Sequence, residues 1–157
     1  MTMNEQAVKN IIEATKTAFL DSESYLLRVN ANERSMTHKF AECLQSIFGH
    51  EWDVDCEYNR FGQNTKMIDE IQYIVGTDAD TAETVARTVY PDIIVHKRGE
   101  EGPNLLVIEA KKDADTNDIE KDTQKLKVLK RTFEYKFAVF LNFETGENFN
   151  INFDFIE

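Results

Sequence analysis

Three ionisable residues in this chain occupy places where a folded protein seldom keeps charge without a use for it. Asp92 opens the apolar run Ile93-Ile94-Val95, and Glu109 and Lys111 close the run Leu105-Leu106-Val107-Ile108. Side chains on a strand alternate faces, so Glu109 and Lys111, two apart, point the same way. A run that is apolar at every position reads as a strand covered on both faces. A carboxylate and an ammonium at its end are costly unless partners compensate them. Asp92 and Glu109 are hard oxygen donors, suited to Mg²⁺ or Mn²⁺ rather than zinc, and the backbone carbonyl of Ala110 is a further candidate ligand. Magnesium takes one or two protein carboxylates and completes its shell with water and substrate phosphate. Such an ion polarises a phosphoryl oxygen and lowers the pKa of a bound water. Lys111 is placed to position that water, help deprotonate it, or stabilise developing negative charge. The reaction suited to this set is hydrolysis of a phosphodiester bond. The plainer alternatives are an Asp92 that ends a turn after Pro91, and a cross-strand ion pair of Glu109 and Lys111 at a sheet edge.

These residues need a scaffold, and the chain is long enough to provide one. Its 157 residues, 41% hydrophobic and 30% charged, fit a single globular domain with a buried core. No apolar stretch approaches the ~20 residues of a transmembrane helix, and no signal-peptide pattern opens the chain. Cys43 and Cys56 match no metal-ligand spacing and fit a reduced cytoplasmic setting. His38, His50 and His96 are too scattered for a zinc site. The net charge of −11 opposes a tight, non-specific grip on nucleic acid, although a local basic patch or bound cations would offset it.

Apolar spacing predicts a helix over 5–20, interrupted at Asp21-Ser22 and resumed at Tyr25-Leu26-Leu27, as an N-terminal addition lying on the core. A second helix runs from an Asn32 N-cap to a Gly49 stop. Its stripe of Phe40, Ala41, Leu44, Ile47 and Phe48, continued backwards, turns Glu33 inward and Glu42 outward. Residues 52–58 alternate apolar and acidic, as in a strand with one solvated face, and 59–84 reads as an insertion. Strands follow over 85–97 and 105–111. An Asn117–Glu120 capping box then opens a helix with Ile119, Leu126, Leu129 and Phe133 on its apolar face and Lys121, Lys125 and Lys130 outside the core. Residues 136–143 form an interior strand, and alternating Phe149, Ile151, Phe153 and Phe155 a half-exposed terminal one. The fold class is α/β, a mixed β-sheet with a crossover helix before its fourth strand.

Pro91-Asp92, sixteen intervening residues and Glu109-Ala110-Lys111 resemble the motif of the PD-(D/E)XK, or restriction-endonuclease-like, nuclease superfamily. NERSMTHKFAECL, WDVDCEYNR, PDIIVHKRG and NLLVIEAKKD are similar to small bacterial and phage-type members. The resemblance spans about 32–143 and implies an αβββαβ core, with the N-terminal helix and last strand added to it. It implies a Mg²⁺- or Mn²⁺-dependent nuclease acting on DNA, with Asp92, Glu109 and Lys111 catalytic and Glu33 assisting as a further metal ligand. Glu33, followed by Arg34, matches a helix acid that faces the metal in many members, and Gln124 matches a helix position used by some. A homodimer is a further implication.

Other readings attach to single residues. Arg34, Tyr58, Arg60, Lys121, Gln124 and Lys125 are candidate substrate contacts, the lysines against the alternative of a solvated helix face. His96 shares a strand face with Asp92 and reads first as structural, and Lys112 reads as solvated, opposite Lys111. Two rival functions stand beside the nuclease: a non-catalytic protein that kept the fold and binds a protein partner, and a metal-dependent hydrolase of small nucleotides.

Overall fold

The computed structural model describes residues 3–57, 90–99 and 103–157. In these, three helices and five strands follow one another as α1 (Glu5–Arg28), α2 (Glu33–Phe48), β1 (Asp53–Cys56), β2 (Ile93–His96), β3 (Asn104–Lys112), α3 (Thr116–Thr132), β4 (Phe137–Glu144) and β5 (Asn150–Ile156). The strands lie in one mixed sheet in the order β1-β2-β3-β4-β5. Only β3 and β4 are parallel, and α3 makes the crossover between them, as a parallel pair requires. Tyr58, Arg60 and the segment 59–84 read as an insertion lie outside the described residues.

Apolar alternation along β3 and β4 gives the sheet two covered faces. Ile93, Val95, Leu106, Ile108, Val139, Leu141 and Phe143 join Val8, Ile12, Phe19 and Leu27 of α1 and Met36, Phe40 and Leu44 of α2 in one buried cluster. Ile94, Val107, Ala138 and Phe140 face the other way, against Leu126, Val128 and Leu129 of α3. Phe19, Phe40 and Phe143 meet with ring centroids 5.8–6.1 Å apart, one from each of α1, α2 and β4. The first helix is therefore part of the core.

α2 matches its expected caps. Asn32 Oδ1 accepts from the Ser35 N–H at 2.8 Å, and Gly49, at φ 75°, donates to the Gln45 carbonyl. Four expectations need correction. α1 is continuous through Asp21-Ser22, because both are exposed and Ser22 Oγ donates back to the Ala18 carbonyl at 2.9 Å instead of breaking the helix. α3 starts earlier than read, on a reciprocal capping box of Asp115 and Asp118, and Ile119 is 42% exposed. The acidic residues of β1 are not simply solvated: Asp55 pairs with His96 Nε2 and the Arg98 guanidinium, and Asp53 accepts the Arg98 N–H. Lys112 is not free in solvent either, for its ammonium donates to the Ala31 carbonyl at 3.2 Å.

The Phe19–Phe40–Phe143 contact joins both helices to the sheet. Phe40→Ala should destabilise the protein by about 3–5 kcal/mol in urea unfolding, whereas Tyr25→Ala, at an exposed helix position, should stay within about 0.5 kcal/mol. Equal effects would mean that this packing is not as described.

Candidate active site

The site is built from a mismatch in strand length. β2 begins at Ile93, opposite Ile108, while β3 runs on to Lys112 with β4 still alongside it. Beyond Ile108 the edge of β3 that faced β2 therefore has no partner strand among the described residues. Buried N–H groups need acceptors, and two carboxylates supply them. Asp92 Oδ2 accepts from the Ala110 N–H at 2.8 Å, and Glu33 Oε2 accepts from the Lys112 N–H at 3.1 Å. A strand residue directs its own N–H and C=O to the same side. The Ala110 carbonyl thus lies on the Asp92 side of β3, where a candidate ligand has to be.

Glu109 and Lys111 share the α3 face of the sheet, as their spacing predicted. Glu109 is 3% exposed, and the Asp92 carboxylate, fixed on the N–H of the next residue, is near enough to act on it. Burial, then the neighbouring Asp92 charge, holds its pKa well above the usual carboxylate range. Two carboxyl groups stay this close only with a proton between them or a cation beside them. For Lys111, burial pulls the pKa down, but the carboxylates of Asp122, Glu33 and Asp92 outweigh it, and the ammonium is held above the ordinary lysine value.

Two residues of α3 complete the cluster, one that the sequence pattern places outside the core and one that it does not mark as a candidate. Lys125, expected outside the core, is 7% exposed, with Nζ 2.7 Å from Glu109 Oε1 and 3.3 Å from the Tyr90 carbonyl. Pairing by distance does not satisfy that oxygen, since Glu109 Oε1 accepts no directed hydrogen bond. Asp122, one helical turn before Lys125, was not singled out at all. Burial pushes its carboxyl group up to about 6, against the pull of Lys111 and Lys125, and its Oδ2 is buried without a hydrogen-bond partner. The available signal was helical spacing: positions 122, 125, 126 and 129 lie on one side of α3, so the two charged residues travel with the apolar stripe.

The remaining candidates separate. Glu33 points inward as its stripe required, while Glu42 is exposed and pairs with His38 and Lys39. Arg34 is exposed and paired with Glu57 at 3.2 Å. Lys121 and Gln124 are exposed on α3. His96 is fully buried and tied to Asp55, which makes it structural. Glu109 and Lys111 are not an ion pair with each other at a sheet edge, because β3 is central and the partner of Glu109 is Lys125.

An open cleft of about 900 Å³ lies between the start of α2 and the end of β1, lined by Glu33, Arg34, His38, Glu57 and Asp92 among others. It gives solutes access to the Asp92 side of the cluster. Among the described residues, no group of three or more His, Cys, Asp and Glu side chains is arranged to hold a metal ion. The donor set that fits one is Asp92, Glu109 and the Ala110 carbonyl. All are hard oxygens, one carboxylate oxygen lacks a directed bond, and the crowded acids are a pair that a cation would relieve. Among the described residues, no helix is long and apolar enough to cross a membrane.

Asp122 yields a test in metal-free buffer. With its pKa raised in the folded protein, the native state binds more protons than the unfolded chain between about pH 4 and 6, so this residue destabilises the fold increasingly as pH rises through that window. Asp122→Asn should stabilise the protein at pH 7 by up to about 3 kcal/mol, with the gain vanishing below pH 4. A gain independent of pH, measured by urea unfolding, would show that its burial is not the cause.

No protein-family model, no curated protein and no solved structure matches this chain, which leaves the residues of the cluster as the guide to its chemistry.

Proposed function

We propose that this chain is a divalent-cation-dependent nuclease of the PD-(D/E)XK type that hydrolyses phosphodiester bonds in DNA. The observation that carries the reading is the meeting of Asp92 and Glu109 at the end of β3, with Lys111 on the same strand face and an open cleft beside them. Among the described residues, the order helix, three strands, helix, strand from α2 to β4 is the one this reading expects.

Asp92, Glu109 and the Ala110 carbonyl would hold Mg²⁺ or Mn²⁺, which supplies charge stabilisation at a phosphoryl oxygen and a water acidic enough to attack it. Lys111 is held as an ammonium by the surrounding acids. On the strand face it shares with Glu109, it is placed to orient the attacking water and to stabilise the charge that develops on the phosphoryl group. Glu33 fixes the end of β3 through Lys112 and forms a wall of the cleft, with Arg34 at its rim as a phosphate contact. The acidic net charge makes DNA binding weak and sensitive to salt.

The Lys125–Glu109 ion pair favours one second reading. A site whose buried acid already has a protein partner suits a non-catalytic descendant of the fold that binds another protein. Both readings are tested with single-stranded, duplex and branched DNA at low salt with Mg²⁺ or Mn²⁺. Wild type should cleave at least one substrate, and Asp92→Asn and Lys111→Ala should each lower the rate at least ~100-fold with unchanged circular dichroism. Asparagine keeps an acceptor for the Ala110 N–H, so the first variant tests chemistry and not folding. Undiminished cleavage by both variants would sink the assignment. Absence of cleavage by the wild type, on DNA and on nucleotides, would favour the protein-binding reading.

A further inference from the structure

We propose that the Lys125 ammonium is a resident counter-cation of Glu109 that competes with the divalent ion, so that this one side chain sets the affinity of the site for its metal. The inference rests on the divalent-cation reading above and concerns a residue on α3, outside the Glu109-Ala110-Lys111 strand.

Lysine is almost never fully buried without a partner, and here the partner is itself buried. Lys125 is 7% and Glu109 3% exposed, and their charged atoms are 2.7 Å apart. Among the described residues, Lys125 is the cation ion-paired with Glu109, because the carboxylates acting most strongly on Lys111 are those of Asp122, Glu33 and Asp92. The ammonium therefore lies against the oxygen a metal ion would use. Removing Lys125 takes away the ion-pair partner of the buried Glu109 carboxyl group, a place that a divalent ion then fills. With Lys125 in place, the ion has to displace the ammonium or bear its repulsion.

The side chain is suited to giving way. A lysine ammonium is a point charge on a flexible four-carbon stem, not a planar fork locked to its carboxylate. Its second contact, to the Tyr90 carbonyl, is long at 3.3 Å, and Asp122, one helical turn away, has an oxygen without a hydrogen-bond partner. An ammonium displaced from Glu109 thus has an acceptor nearby. The buried Glu109 thus keeps a cationic partner when metal is scarce and yields the site when metal is plentiful.

The test is Mn²⁺ binding by calorimetry to metal-free wild type, Lys125→Met and Asp92→Asn, with thermal unfolding alongside. Lys125→Met keeps the apolar stem and should bind Mn²⁺ at least about tenfold more tightly than wild type. Mn²⁺ should also raise its Tm by more than it raises that of the wild type, and Asp92→Asn should bind Mn²⁺ poorly. Equal or weaker binding by a folded Lys125→Met would overturn the inference while leaving the metal site standing. Absence of Mn²⁺ binding by both wild type and Lys125→Met would overturn the divalent-cation reading, and this inference with it. If Lys125→Met does not fold, the wild type decides: the ¹³Cε signal of Lys125, assigned through bonds, should move when Mg²⁺ saturates the protein. An unmoved signal with Mg²⁺ bound would refute displacement.

Discussion

The hydrogen bond from the Ala110 N–H to Asp92 Oδ2 is the contact on which the site depends. β2 begins four residues short of the end of β3, leaving an edge with no partner strand among the described residues, and its donors at Ala110 and Lys112 go to carboxylates instead. Asp92 takes the first of these donors and Glu33, from α2, takes the next one on the same edge. The acids are thus placed by the backbone itself. A shift of β3 by one residue would present different donors and turn Glu109 and Lys111 to the opposite face.

That arrangement forces charges together. The half-buried Asp92 carboxylate, fixed by one donor, acts on a Glu109 carboxyl group buried on the α3 face, where screening on the Glu109 side is weak. The apolar stripe of α3 covers Ile94, Val107, Ala138 and Phe140, and in the same stripe Lys125 and Asp122 are carried against the acids. Packing and electrostatics are therefore coupled: the helix that buries one side of the sheet also supplies the counter-charge that makes burial of Glu109 tolerable.

The backbone of this site was legible in the sequence, and its electrostatics only partly so. The uninterrupted apolar run 105–108 identified β3, period two placed Glu109 and Lys111 on one face, and the stripe of α2 directed Glu33 inward. Each of these follows from a local repeat. Lys125 and Asp122 did not follow, because lysine and aspartate on an amphipathic helix ordinarily mark its solvated face, and only the carboxylates across the sheet make their burial tolerable. The cap of α3 was misplaced for a local reason: Asp115 and Asp118 cap as well as Asn117 and Glu120 would, and begin earlier. At Asp21-Ser22 polarity was mistaken for a break, where exposed side chains on a continuous helix were enough.

The acidic balance of the chain looks different once the site is in view. A net charge of −11 argues against wide contact with a polyanion, yet the proposed chemistry calls for acids, and two of them stand at the wall of an open cleft. The positive charge that a phosphate would meet comes from Lys111, held as an ammonium, from Arg34 at the cleft rim, and from whatever cation Asp92 and Glu109 hold. Attraction for the substrate would then be concentrated at the reacting group rather than spread over the surface. A nuclease of the proposed kind would depend on its cation twice, for binding phosphate and for acting on it.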